Sequence, residues 1–527
     1  MRINSSSSKY LLWVPPMLVA FAMALPLIYL LVRSASASSE AWDILFRWRT
    51  LEILGNSLLL VGTVTFCSLV VALPAAWLTT STNLPLRKLL GLMLALPLVI
   101  PSYVAGFLVI LVLGPKGFLQ SVLESAFGVD RLPDLYGLFG ATFVLSMLSF
   151  PYILLTVKAS LATLDPALEE AATTLKSGFW RTKFRIILPQ LRPAIMSGSL
   201  LVGLYTLSDF GAVSLLRYKT FTWAIYQQYE NSFDRSIAAL LSLVLVGVAL
   251  LILLIEAYSR GKPRYSKIGS GTARVPSIVI LGSWKWIAFG FCTILVLISL
   301  IMPMSVLLYW VVRGMLSGEE LGVLWVPTLN SLTVSVITGL ISVAIALPLV
   351  RLILKNRGLF AQVIERLSFT GFALPGIVVA LALVFFGANL AKFMYQTFWI
   401  LIFGYLVLFF PIALGTIRSA ALQISPAIEE SSRNLGKTAI ETLWLVTLPL
   451  LRKSVLAGAV LVFLVTMKEL PATLILGPLG FKSLATVVWS ASSEAFFAQA
   501  AMPALLLIIM SSVPMGFLMS RDVRVNW

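Results

Sequence analysis

The chain contains no histidine, only 2 cysteines in 527 residues, and charged side chains at just 12% of positions. Without imidazole, and nearly without thiols, it has no material for a zinc hydrolase, a haem protein or a disulfide framework. The scarcity of charge excludes an ordinary soluble domain, in which about a quarter of residues are charged. Apolar residues fill the space instead, at 59% of the chain, with a mean hydropathy of +0.97. That composition belongs to membrane proteins. The net charge of +17 suggests a nucleic-acid partner until its distribution is considered.

Apolar runs fall near 11–32, 53–80, 89–113, 137–157, 194–216 and 237–258, and again near 286–312, 326–350, 367–390, 396–417, 454–476 and 500–519. Each is long enough to cross a bilayer as a helix, which needs about 20 residues. With the N-terminus placed inside, 27 of the 39 Lys and Arg residues fall on the cytoplasmic side and 13 of the 22 acidic residues on the outer side. The positive-inside bias therefore places both termini in the cytoplasm. The surplus charge reads as orientation, with no nucleic acid implied. At the start, Arg2, Lys9 and Ala35-Ser36-Ala37 imitate a cleavable signal peptide. The apolar run exceeds the usual 7–15 residues and Arg33 interrupts the approach, which favours an uncleaved first helix.

The two series repeat each other. Asn56-Ser57 and Ala72-Leu73-Pro74 match Asn330-Ser331 and Ala346-Leu347-Pro348 at an offset of 274, and Phe150-Pro151 matches Phe410-Pro411 at 260. The 14-residue difference lies between 101 and 150, where Gly114 to Gly117 and Asp130 to Asp134 read as an external loop. Six spans per copy put both halves the same way up, as a parallel repeat about an axis along the membrane normal. The halves then either line a pathway along that axis or build a larger bundle. The expected fold is an all-α polytopic membrane protein of about twelve transmembrane helices in two homologous six-helix halves. Its segments are 1–52 (first helix and external loop), 53–258 (first transmembrane domain), 259–285 (basic linker), 286–328 (seventh helix and loop), 329–519 (second transmembrane domain) and 520–527 (tail).

Each half has one long polar cytoplasmic segment. The first runs from Leu164-Asp165-Pro166-Ala167-Leu168-Glu169-Glu170-Ala171-Ala172 to Ile186-Ile187-Leu188-Pro189. The second runs from Ile424-Ser425-Pro426-Ala427-Ile428-Glu429-Glu430-Ser431-Ser432 to Val446-Thr447-Leu448-Pro449, every position 260 further on. Asp165 or Ser425 is suited to cap a helix whose first residue is Pro166 or Pro426. Acids follow in the first turns, where the helix dipole favours them. A turn near Lys176-Ser177-Gly178 or Gly436-Lys437-Thr438 leads to a second amphipathic stretch, with Trp180, Phe184 and Ile187 answered by Ile440, Trp444 and Thr447. Such a helix-turn-helix elbow suits a groove on a soluble partner.

These elbows resemble the cytoplasmic loop of type I importer permeases of the ABC superfamily. That loop carries Glu-Ala-Ala, three residues, Gly, nine residues, then an aliphatic residue, any residue and Leu-Pro. Glu170-Ala171-Ala172 and Ile186 to Pro189 match the first copy, with Lys176 in place of Gly. Gly436 and Val446 to Pro449 match the second, with Ser431-Ser432 in place of the two Ala. The resemblance implies that each elbow docks on one of two copies of a separate ATPase subunit. ATP and Mg would be held by those partners, with no cofactor or catalytic site in this chain. It further implies a bacterial inner-membrane location and a soluble extracytoplasmic binding protein. Leu207-Ser208-Asp209-Phe210-Gly211-Ala212-Val213, Tyr218 to Thr222 and Met467-Lys468-Glu469-Leu470-Pro471-Ala472-Thr473 look like the fused two-half ferric iron permeases, with thiamine importers as the alternative cargo class. An ion-gradient-driven transporter is the competing class, and it needs no paired elbows.

Ser431 to Thr438 nearly spells a phosphate-binding loop but begins with Ser and follows no strand, so no nucleotide site is expected. Asp209 and Glu469, at offset 260, lie late in the fifth span of each half. A charge at that depth faces a bundle interior or water. The pair either lines the path, with no tightly bound metal, or is locally neutralised, as Glu469 by Lys468. Glu256 reads as a snorkelling terminus. Pro74, Pro101, Pro151, Pro348, Pro375 and Pro411 are expected to interrupt helices at corresponding places.

Overall fold

The computed structural model describes residues 14–36, 39–115, 117–128, 132–164, 178–231, 236–259, 278–319, 322–355 and 358–525. Helices occupy nearly all of them. Leaving aside the short helices Ser39–Leu45, Phe179–Thr182 and Ala439–Thr442, they are in chain order α1 (Val14–Ala35), α2 (Trp48–Ser81), α3 (Arg87–Met93), α4 (Ser102–Leu113), α5 (Phe118–Phe127), α6 (Leu138–Thr163), α7 (Leu188–Ser208), α8 (Gly211–Leu215), α9 (Phe221–Asn231) and α10 (Ser236–Ser259). Then follow α11 (Trp284–Val296), α12 (Met302–Leu316), α13 (Trp325–Lys355), α14 (Leu359–Ser368), α15 (Gly376–Asn389), α16 (Phe398–Ala421), α17 (Pro426–Asn434), α18 (Leu448–Met467), α19 (Pro471–Leu476), α20 (Leu484–Ser493) and α21 (Phe497–Val525). Among the described residues, eleven stretches are long and apolar enough to cross a membrane. Leu359–Phe372 and Gly376–Asn389 form a further apolar pair bent by 108°, which brings the number to twelve where the pair counts as one span. The fold class is the all-α one with eleven to twelve apolar spans, in keeping with the expected number of about twelve.

Helix ends depart from expectation in two places per half. The third apolar run of each half is broken, because a short 3₁₀ turn (Leu96–Val99, Thr370–Ala373) precedes Pro101 and Pro375. A residue before proline is pushed to extended backbone, and Ile100 and Leu374 adopt ψ of 123° and 119°. Of the six prolines expected to interrupt helices, these two alone do so. Pro74, Pro151, Pro348 and Pro411 lie inside continuous helices, where neighbouring groups can satisfy the freed carbonyl. The fifth spans also end early, at Ser208 and Met467, so the apolar runs to 216 and 476 include a break and a short second helix. The segment expected as an external loop contains α5, which the second half lacks.

Three π turns occur among the described residues, at Lys183–Ile187, Leu297–Ile301 and Leu443–Thr447. Each is followed by one residue and then a proline: Pro189, Pro303 and Pro449. The residue between donates across five positions, Leu188 to Lys183, Met302 to Leu297 and Leu448 to Leu443. A proline ring collides with the carbonyl four residues back in a regular helix; a wider turn there relieves the collision. The π turn also splits the expected amphipathic stripe. Phe184 and Trp444 are exposed while Ile187 and Thr447 are buried.

The chain divides into two compact units. One comprises residues 46–224 and 247–320, and the other 1–45, 225–246 and 321–527. In the first, α2 packs along α6 with hydroxyl bridges Thr63–Thr142 (3.0 Å) and Ser68–Ser149 (3.2 Å), and α11 and α12 contact α3 and α4. In the second, α1 packs on α14 and α15. Its Tyr29 hydroxyl donates to the Phe385 carbonyl (3.1 Å), Asn389 donates to Tyr29 (3.2 Å), and Thr370 donates to Met23 (3.3 Å). Lipid-like surroundings remove the hydrophobic drive between helices, so packing and such hydrogen bonds, about 0.6–2 kcal/mol each, hold the bundle.

Candidate functional site: the elbows and the carboxylate breaks

Of the first elbow, Asp165, Pro166, Glu169, Glu170, Ala171 and Ala172 lie outside the described residues. Leu188 and Pro189 are described, and they open α7 directly after the π turn. The second elbow is described throughout. Pro426 starts α17 as expected, but the hydroxyl of Ser425 caps nothing. The Ile428 N–H instead donates to the Ser425 carbonyl (3.1 Å), so one orphan donor is satisfied by backbone and proline alone sets the helix start.

The helix stops at Gly436, whose φ of +84° favours glycine. Gly436 N–H donates to Arg433 (2.9 Å) and Lys437 N–H to Ser432 (3.2 Å), the two bonds of a Schellman motif. This turn gives a physical role to the motif glycine of the second elbow. Residues Ser431 to Asn434 are helical, so they form no phosphate cradle. Thr438 and Glu441 then cap each other, the Thr438 N–H to Oε2 (2.8 Å) and the Glu441 N–H to Oγ1 (3.2 Å). Ser432 and Thr442 share a buried hydroxyl contact of 3.1 Å that ties the arms together.

The two adjacent acids separate. Glu429 turns inward, accepting from Thr447 (2.9 Å) and lying 3.6 Å from Arg351 and 3.8 Å from Arg433. Glu430 is exposed, as are Leu435 (83%) and Ile428 (42%). The elbow thus presents the carboxylates of Glu430 and Glu441 outward together with apolar side chains that include Ile428, Leu435, Trp444 and Leu445, while Glu429 fastens it to the end of α13. Leu448, half-buried, and Pro449, exposed, open α18.

Asp209 and Glu469 occupy matching breaks. Asp209 ends α7 and its Oδ1 accepts from Ala212 N–H (3.0 Å) and Val213 N–H (3.3 Å), capping α8. Glu469 follows α18 and its Oε1 accepts from Ala472 N–H (3.2 Å), capping α19. The backbone carbonyl of each accepts a threonine hydroxyl, from Thr222 (2.6 Å) and Thr473 (2.5 Å). Ser102 stands beside Asp209 at the first position of α4. Its counterpart at offset 274 is Gly376, and a methyl group there would overlap the Glu469 carboxylate. The longer acid is matched by the smaller neighbour. An acid two residues before Gly211 or Pro471 is the capping signal that a reading by depth alone overlooks.

The repeat dipeptides also acquire a role. Asn56 donates to the Lys219 carbonyl (3.4 Å) and Asn330 to the Lys482 carbonyl (2.9 Å). Ser57 accepts from Phe221 N–H (3.0 Å) and Ser331 from Leu484 N–H (2.8 Å). In each half the pair tethers the short loop that follows the break helix (216–220 after α8, 477–483 after α19) to the second span.

An all-α chain with eleven to twelve apolar spans, a helix-turn-helix elbow after α16 and matched carboxylate breaks after α7 and α18 belongs to the class of polytopic membrane proteins. The chain belongs to the family described as binding-protein-dependent transport system inner membrane components, which matches residues 68–264 and 336–521. It is 34% identical to an Fe(3+)-transport system permease protein of Haemophilus influenzae, over 95% of this chain and 96% of that one. A ferric transport system permease protein of Actinobacillus pleuropneumoniae is 25% identical over 84% of this chain and 66% of its own. A molybdenum transport system permease protein of Escherichia coli is 32% identical over 35% of this chain and 81% of its own. A chain from the crystal structure of a bacterial ABC transporter importing the acidic polysaccharide alginate covers 49% of this chain and 98% of that one, with 21% identity and a TM-score of 0.41.

Proposed function

We propose that this chain is the permease of an ATP-driven ferric iron importer, passing iron from a soluble binding protein on the outer face to the cytoplasm. The observation that carries the substrate is the 34% identity spanning almost the whole of both chains to an Fe(3+)-transport permease. The chain itself is non-catalytic in this reading. Two ATPase subunits bind ATP and Mg, and one docks on each elbow. The first elbow offers Asp165, Pro166, Glu169, Glu170, Ala171, Ala172, Leu188 and Pro189; the second offers Glu430 with Ile428 and Leu435, on a frame set by Ser425, Pro426, Glu429, Gly436, Leu448 and Pro449. Both termini lie in the cytoplasm, on the strength of the Lys and Arg bias. Closure of the ATPase pair moves both elbows together and switches the two halves between outward and inward openings.

Asp209 and Glu469 are proposed to touch the cargo transiently with hard oxygen atoms, which suit a trivalent cation. Support comes from their matched positions at breaks in membrane-spanning segments. Labelled iron and labelled thiamine, offered to cells with and without the chain, test the cargo; uptake of thiamine alone overturns the iron reading. Replacing Glu170 and Glu430 by alanine should weaken capture of the ATPase in a pull-down, and unchanged capture overturns the docking. If Asp209→Ala with Glu469→Ala assembles normally and imports iron at the original rate, the cargo contact is wrong.

A further inference from the structure

The two halves treat one half-buried corner differently, at the end of the spans that leads into the elbows. In the second half, Arg418 near the end of α16 pairs with Glu365 of α14 at 2.7 Å. Lys158 of α6 holds the place of Arg418 at offset 260, and Gly91 of α3 holds the place of Glu365 at offset 274. The positive charge is kept and its counter-charge is gone. The Lys158 amine lies in the room that the missing side chain leaves, since a Cβ at Gly91 would be 2.5 Å from Nζ and 3.7 Å from Thr79 of α2. Lys158 is half-buried, and among the described residues no hydrogen bond or ion pair reaches it. A charge so placed calls for a partner.

Two further cations share the corner. Residues three and four apart stand on one face of a helix, so Arg87 and Lys88 lie on the face of α3 that carries Gly91. Arg87 gives one donor to the Thr82 carbonyl (3.2 Å), and a guanidinium has four more. Lys88 is exposed. Their counterparts in the second half are Ala361 and Gln362. The corner thus gathers three cations in the first half, and one cation with its own carboxylate in the second. The positive-inside bias is met by basic residues at the exposed surface and does not ask for one lodged between helices against a glycine. Next to the cations, α3 is apolar and uncovered: Leu86 is 63% exposed, Leu89 50% and Leu92 36%, and Leu92 stands one turn from Lys88. An inorganic anion or an acidic peptide would use the cations and leave these leucines in water. A phospholipid uses both.

We infer that this corner binds the phosphate head of an anionic phospholipid. The Lys158 amine is the inner contact, Arg87 and Lys88 are the outer ones, and the acyl chains run along Leu86, Leu89 and Leu92. Basic pockets between membrane helices on the cytoplasmic side take such heads. The lipid supplies the anion that Glu365 supplies in the other half, and it ties α3 to α6 as that glutamate ties α14 to α16. A zwitterionic lipid carries its own cation and serves less well. The inference holds whichever cargo the protein carries.

The test uses the full-length chain in mild detergent, titrated with phosphatidylglycerol, phosphatidylcholine or inorganic phosphate. Melting temperature is followed, since a ligand of the folded state raises its stability, and retained lipid is counted by native mass spectrometry. The expected result is a saturable rise with phosphatidylglycerol and about tenfold preference for it over phosphatidylcholine, with no rise from inorganic phosphate. Lys158→Met removes the inner charge. Gly91→Glu installs the counter-charge of the second half, and it meets only the movable end of Lys158 at close range. Each variant abolishes the preference, and the second covers a folding defect in the first. Equal response to the two lipids overturns the proposal, as does a preference that survives in both variants. A rise as large with inorganic phosphate also overturns it, because the ligand is then a free anion.

Discussion

Gly436 and Glu441 show how single residues set the elbow. A φ of +84° costs an L-residue about 1–2 kcal/mol, so Gly436→Ala should loosen the Schellman turn by about that amount. Faster amide exchange at Lys437, with no change in the spans, is the expected reading. Glu441 supplies a pH dependence. The backbone N–H of Thr438, followed by its hydroxyl, holds the Glu441 carboxyl below the usual glutamate value of 4.5. A depressed carboxylate contributes its full stabilisation above the unfolded value and loses it as pH falls through the lower folded one. Exchange protection of the Thr438 amide, corrected for intrinsic rates, should therefore be constant at neutral pH and fall below about 4.5. Glu441→Gln should remove that step. Neither the inward turn of Glu429 nor the outward face of Glu430 is legible from two adjacent glutamates, because what separates them is Arg351, far off in sequence and near only after folding.

At the scale of elements, the apolar runs made the spans readable because bilayer thickness imposes one length on every crossing. What the runs concealed was where helices break within them. The 3₁₀ turns before Pro101 and Pro375 and the π turns before Leu188-Pro189, Met302-Pro303 and Leu448-Pro449 have a common cause in proline sterics, yet Pro26, Pro74, Pro151, Pro193, Pro348, Pro411, Pro503 and Pro514 leave their helices continuous. Residue type alone does not choose between these outcomes; the packing around each helix does. The Asn-Ser repeats were visible as similarity, and their work as tethers required the return of a loop more than 150 residues away. Ser57→Ala leaves the buried Phe221 N–H without its acceptor, a loss of about 1–3 kcal/mol. Lower thermal stability together with faster exchange at Phe221 would be the signature, and unaltered exchange there would refute the tether.

For the whole molecule, the sequence repeat and the compact units do not divide the chain at the same places. α1 precedes the first repeat yet belongs to the unit built from residues 321–527, and α11 with α12 precedes the second repeat yet belongs to the unit containing residues 46–224. Tyr29, Met23 and Arg33 explain the first assignment through contacts with Phe385, Asn389 and Thr370. Hydropathy cannot reveal such an exchange, because lipid and protein are equally apolar neighbours for a helix. The exchange has a consequence for a chain cut within 260–277: each fragment leaves a helix inside the unit that the other fragment mostly forms. Cleavage at an inserted protease site in that stretch should therefore yield two fragments that co-purify in mild detergent. Tyr29→Phe removes the hydroxyl between Phe385 and Asn389, worth about 0.6–2 kcal/mol in such surroundings, and should make the cut fragments separate at a lower detergent or denaturant concentration than the parent. Fragments that part at once in mild detergent would show that α1 does not hold its unit together.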